Sequence, residues 1–277
     1  MSPGPLGRLT SLRLVFLLAI ASLALHPLSA EAQSSRPKGP PAAAAKVEGD
    51  ILYSGSLWQE KKHEITGLYQ IASNAGALTL HLGADFKTKS GPDLKVALTT
   101  RAIGDVTKKN ALDGSLVLGL LESEKGAQSF TIPKGTDLSK YRSLVIHCEK
   151  YTVLWGGVPL TQGKVVGYGD KWQKKSKKVR GRFEIVVADG KPIVRVGSEF
   201  KTSNAPDLKF VLTNRSPSAA KNENALDGGT IIGLLKSNKG AQEVTGPAAV
   251  DPTSFSTLLI HCEQYTKLWG AASIRKP

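Results

Sequence analysis

Hydrophobic positions from residue 47 onward fall into short runs, alternating or β-branched, punctuated by glycine and turn-forming residues. The pattern predicts strands at Ile65–Ile71, Leu78–Leu82, Leu94–Thr99, Leu116–Leu121, Gln128–Ile132, Leu144–Cys148 and Thr152–Leu154. A second series follows at Ile185–Ala188, Ile193–Val196, Leu208–Thr213, Thr230–Leu235 and Thr257–Cys262. Asn74-Ala75-Gly76 and Ala188-Asp189-Gly190 stand where a hairpin needs positive φ. No segment carries a long, capped pattern of period 3.6. The expectation is an all-β chain of antiparallel sandwich or barrel-like units.

The two series are one series written twice. An offset of 114 residues, from Cys148 to Cys262, places Trp58 on Trp172, Phe86 on Phe200, Pro92-Asp93-Leu94-Lys95 on Pro206-Asp207-Leu208-Lys209 and Trp155-Gly156 on Trp269-Gly270, without a gap. Such a period is too long for a solenoid and suits a tandem of whole domains. The expected boundaries are residues 47–160 for the first domain and 161–274 for the second, joined by the short Leu160–Lys164 junction.

Ahead of the repeats, Arg8 and Arg13 precede an apolar run from Leu14 to Leu25, followed by Ala30-Glu31-Ala32. This reads as a secretory signal over residues 1–32, cleaved before Gln33. Residues 33–46, rich in Pro and Ala, read as a disordered linker. No run reaches the ~20 apolar residues of a transmembrane helix, and no cysteine stands at the cleavage point for a lipid anchor. The expected product is secreted or periplasmic.

The formal charge is +14, with knots at Lys61-Lys62-His63 and Lys174-Lys175-Ser176-Lys177-Lys178-Val179-Arg180. A basic surface favours anionic envelope or matrix polymers as partners. Nucleic acid is not expected, since no aromatics interleave with the cations.

Cys148 and Cys262 are the only cysteines. In a strand, Leu144, Ile146 and Cys148 share one face, and Val145, His147 and Glu149 the other. The sulfur therefore falls on the more apolar face, where it behaves as a small hydrophobe. His147 and Glu149 are expected to pair at the surface. Adjacent strand residues point apart, so no metal site is read from His-Cys, and metal-type spacing is absent. Two equivalent core positions in separate domains should not meet, so two free thiols are expected rather than a disulfide. Asp93 and Asp113, with Asp207 and Asp227, sit at turns, and no catalytic residues are assigned. No motif encodes a cofactor.

These features, in order, resemble the DM13 domain family. Gly55 and Trp58 precede His63 and Gly67; Asp85-Phe86-Lys87-Thr88 leads into Gly91-Pro92-Asp93-Leu94; Leu118-Gly119-Leu120, Gly126-Ala127-Gln128 and Pro133 follow; Ile146-His147-Cys148 closes into Tyr151 and Trp155-Gly156. The second copy is similar through Glu199-Phe200-Lys201-Thr202, Ala205-Pro206-Asp207-Leu208, Ile232-Gly233-Leu234, Gly240-Ala241-Gln242, Pro247 and Ile260-His261-Cys262. The resemblance implies an extracytoplasmic β-sandwich module and places a redox centre for electron transfer on Cys148 and Cys262. Candidate tuning neighbours are His147, His261, Tyr151, Tyr265, Trp155, Trp269 and His63. The early histidine is present as His63, but its counterpart is Lys177.

Two functional readings follow. One is a redox or electron-transfer accessory protein with one cysteine per domain and a redox partner protein. The other is a non-catalytic envelope or matrix module, with a basic surface for polyanions and buried, inert cysteines.

Overall fold

The computed structural model describes residues 47–277; the signal and linker expected over residues 1–46 lie outside the described residues. In the first repeat a four-stranded antiparallel sheet runs in the order Asp50–Gly55, Tyr69–Asn74, Ala77–Leu82, Gln128–Ile132. A five-stranded sheet runs in the order Gln59–Glu60, Val153–Pro159, Ser143–Cys148, Leu94–Thr99, Leu116–Leu120. The second repeat copies both, as Lys164–Gly169, Phe183–Ala188, Lys191–Val196, Gln242–Thr245 and as Trp172–Lys174, Lys267–Ser273, Thr257–Cys262, Leu208–Thr213, Thr230–Leu234. Four short 3-10 turns are the only helical elements among the described residues. The fold is all-β and antiparallel, as the alternation predicts.

Each core lies between its two sheets. Tyr69, Ile71 and Leu80 from one sheet meet Leu94, Val96, Leu144, Ile146 and Cys148 from the other, all buried. The second repeat assembles Phe183, Ile185 and Val194 against Leu208, Phe210, Leu258, Ile260 and Cys262. The two expected hairpins close through Ala75 and Gly76, and through Asp189 and Gly190, all with positive φ. That geometry matches the right-handed twist of the flanking strands.

The opening strands Asp50–Gly55 and Lys164–Gly169 were not legible in the hydrophobic pattern, and they are the strands along which the repeats meet. The Ser54 hydroxyl donates to the Gly163 carbonyl at 2.7 Å and accepts from the Val165 N–H at 2.7 Å. The Tyr168 hydroxyl donates to Asp85 at 2.7 Å. Arg182 donates to the Trp58 carbonyl at 2.7 Å and to Glu60 at 2.6 Å. Leu68, Val165, Tyr168 and Val186 form an apolar cluster across the junction. Beneath these contacts Glu184, 1% exposed, accepts from the Ser56 N–H at 2.7 Å and hydroxyl at 3.1 Å, and lies 3.6 Å from Arg195.

Candidate functional site around each cysteine

The strand Ser143–Cys148 is the middle of its five-stranded sheet, and all six of its residues are buried. Cys148 is paired with Leu94 on one side and Val153 on the other. Its sulfur faces the inter-sheet core and is fully enclosed. Cys262 occupies the same position between Leu208 and Lys267. Both thiols are free and buried, each in its own core.

His147 departs from the expected surface pair with Glu149. It is 4% exposed, and His261 is 2% exposed. The outer face of this sheet is a second small core, because the segment after Thr99 folds back over it and packs Ile103, Val106 and Ala111 against Ala97, Val145 and Leu154. Val211, Ala220, Ala225, Leu259, Leu268 and Ala271 repeat the arrangement. The uninterrupted apolar run Leu144-Val145-Ile146 carried that signal, since a strand covered on both faces loses its alternation. Burial pushes the pKa of both histidines below the usual value, against the opposing pull of Glu149 on His147 and Glu263 on His261. Neither His147 Nδ1 nor either ring nitrogen of His261 has a hydrogen-bond partner among the described residues.

Glu149 instead serves a lysine. Lys95, directly opposite His147 on the neighbouring strand, places its ammonium 3.3 Å from Asp93 and 3.4 Å from Glu149. Desolvation pulls against the charged form, but the two carboxylates outweigh it and raise the Lys95 pKa. Lys209, opposite His261, is bridged to Glu263 and lies 3.5 Å from Asp207. The repeated Pro-Asp-Leu-Lys fragment carried this cluster, whereas sequence reasoning assigned its aspartate to a turn alone. Among the described residues, no group of three or more His, Cys, Asp or Glu side chains is placed to hold a metal ion.

The tryptophans stand at a β-bulge. Ile146 pairs with Gly156 and His147 with Leu154, which leaves Trp155 as the extra residue; Trp269 is the extra residue in the second copy. A bulge re-aims a side chain and frees its backbone. Trp155 shares the face of Val153, the partner of Cys148, and so enters the same core, while Leu154 belongs to the outer core. The freed Trp155 carbonyl accepts from the N–H groups of Lys61, Lys62 and His63 at 3.1, 3.1 and 3.3 Å. The Trp155 indole donates to the Lys89 carbonyl at 3.1 Å, as Trp269 does to Ser203 at 3.2 Å. This clasp seats the His63 ring on Trp155, with centroids 4.3 Å apart. Desolvation, followed by the charges of Lys89 and Lys62, lowers the His63 pKa.

Tyr151 and Tyr265 lie apart from these cores, 62% and 56% exposed on the turn after each cysteine. That turn ends in Thr152 and Thr266, with φ of 51° and 45°. A left-handed conformation is costly for a β-branched residue, and both repeats keep it at the same place.

The family model described as electron transfer DM13 matches residues 57–160 and 171–274, one match per repeat. No curated protein and no solved structure matches the chain. No helix of the described residues is long and apolar enough to cross a membrane.

Proposed function

The chain belongs to the electron transfer DM13 family, and from that premise we propose that it is an exported tandem electron-transfer accessory protein whose redox atom in each repeat is the cysteine sulfur. One observation supports the reading. Both copies keep the same enclosed sulfur, with a bulged tryptophan in its core and a histidine on the adjoining strand position. Burial closes the thiol to mixed disulfides and to stepwise oxidation, both of which need access to solvent-borne reagents. Such a sulfur suits one-electron exchange with an oxidised partner docked outside the sandwich, the partner taking the electron and solvent the thiol proton as the thiyl radical forms, with both returned on reduction. Trp155 and Trp269 are the neighbours that share its core, and His147 and His261 stand behind the sheet. No catalytic residues are assigned.

The same burial favours a second reading, in which the sulfur packs as a small hydrophobe and the module works through its surface. Voltammetry of the native chain separates the two. A Cys148→Ala, Cys262→Ala variant that keeps its β-sheet circular dichroism and loses a redox wave present in the parent supports the electron-transfer reading. A folded parent with no cysteine-dependent wave overturns it. Alkylation in the native state is expected to be slow for both cysteines and rapid in denaturant.

A further inference from the structure

One end of the second repeat carries a row of cations that its own fold forces together. Arg180 is bridged to Lys201, and Lys201 to Lys239, across three neighbouring chain segments. Arg180 and Lys201 exchange both backbone hydrogen bonds at 3.1 Å. The bonds flanking Lys201 and Lys239 run instead through Thr202 to Asn238 and Gly240 to Phe200, at 2.8 and 2.9 Å. That makes them a non-hydrogen-bonded pair, the kind whose side chains stand closest. Buried Val179, Phe200 and Thr202 point inward between them. Lys178, Arg180, Lys201 and Lys239 are all exposed on the outer side.

Like charges directly opposed on a ladder are destabilising. None of these four has an ion pair among the described residues. Glu199, two residues before Lys201, is turned away to accept from the Arg182 N–H at 3.0 Å. The duplication supplies an internal comparison. At the same four positions the first repeat has Glu64, Thr66, Lys87 and Lys125, and Glu124 stands where the second repeat has Asn238. The lysine pair is common to both copies, but only the second surrounds it with further cations.

We propose that the row Lys178, Arg180, Lys201 and Lys239 is a docking surface for an acidic polysaccharide. Strand spacing of about 4.8 Å sets successive cations in a line, and repeated anionic groups along a polymer match a line better than a single small anion does. None of the exposed large hydrophobic side chains belongs to these three segments. A membrane surface would draw on apolar insertion, and single-stranded nucleic acid on aromatic stacking. Neither resource is present there.

The test uses the folded chain on immobilised heparin and polygalacturonate, with phosphatidylglycerol vesicles and an oligonucleotide as comparison arms. Lys178→Glu with Arg180→Thr installs the first repeat's own residues, so the ladder has a precedent for tolerating them. With two cations removed it is expected to weaken polymer binding by about thirtyfold and to flatten its salt dependence. The converse pair, Glu64→Lys with Thr66→Arg, is expected to strengthen it. Lys108→Glu with Lys109→Thr removes the same net charge elsewhere and should have little effect. Equal weakening by that control, no change with the first pair, or binding confined to vesicles or oligonucleotide overturns the proposal.

Discussion

Replacing Glu184 with alanine should loosen the joint between the repeats more than any surface substitution. The carboxylate is 1% exposed and accepts the Ser56 N–H at 2.7 Å, so its loss leaves a buried donor without a partner. That penalty is about 1–3 kcal/mol. Arg195 keeps Glu243 through Nε at 3.0 Å and the Gln162 carbonyl through Nη2 at 3.4 Å, and only its buried Nη1, 3.6 Å from Glu184, loses its nearest carboxylate. The full ~3–5 kcal/mol of a broken buried ion pair is therefore not reached. A net loss of about 2–3 kcal/mol should lower the melting temperature by about 5–10 °C for a domain pair of this size. Glu184→Gln retains an acceptor for Ser56 and should cost about 1 kcal/mol. Thermal unfolding followed by the fluorescence of Trp58, Trp155, Trp172 and Trp269 measures both variants. The pH dependence adds a second handle. Burial raises the Glu184 pKa above the ordinary carboxylate value, so the folded state holds this proton more firmly than the unfolded state. Its contribution is full below the unfolded pKa and declines as pH rises through the folded one. Glu184→Gln should flatten that decline. An alanine variant within about 0.5 kcal/mol of the parent, the range of surface substitutions, would refute the reasoning.

Three further outcomes are expected. Cys148→Ser should destabilise by about 1–3 kcal/mol, because a hydroxyl in this enclosed core finds no partner; denaturant titration beside Cys148→Ala isolates the polar cost, and equal stability of the two variants would contradict the burial. Stability should fall as pH drops below the ordinary histidine pKa, since the lowered folded pKa values of His147 and His261 mean that the unfolded chain binds those protons first. Unfolding midpoints of a His147→Leu, His261→Leu variant should lack that share of the acid loss. Gly156→Ala should cost about 1–3 kcal/mol by overpacking, because a Cβ there would stand 2.6 Å from the Gln59 carbonyl oxygen; calorimetry of the single variant checks it.

Most strands that alternate between core and solvent were legible in the sequence, as were the glycine hairpins, although Gln242–Thr245 was missed in the second copy; duplication made the plan visible twice. Asp50–Gly55 and Lys164–Gly169 were not, because their inner and outer residues both meet protein once the repeats dock, and mixed residues such as Ser54 and Tyr168 break the pattern. The cysteine's orientation followed from strand parity alone. The burial of His147 did not follow from parity, which assigns a face but says nothing of the loop that covers it; its signal was the unbroken apolar run Leu144-Val145-Ile146. The tryptophan's entry into the cysteine's core follows the same parity, since Trp155 shares a face with Val153, the partner of Cys148; the bulge that comes next leaves no mark in a hydrophobic pattern.

The joint between the copies also gives the chain a direction. Glu184, Arg195 and Arg182 face the first repeat, whereas their equivalents there are Gln70, His81 and Leu68; Ser56, the donor to Glu184, corresponds to Asp170. A tandem of two second repeats would set that aspartate against the Glu184 carboxylate. A tandem of two first repeats would offer Ser56 an amide, with no guanidinium behind it. The halves are therefore not interchangeable: making them identical would remove the charged contacts of the seam, although the cysteine strands of the two copies are alike.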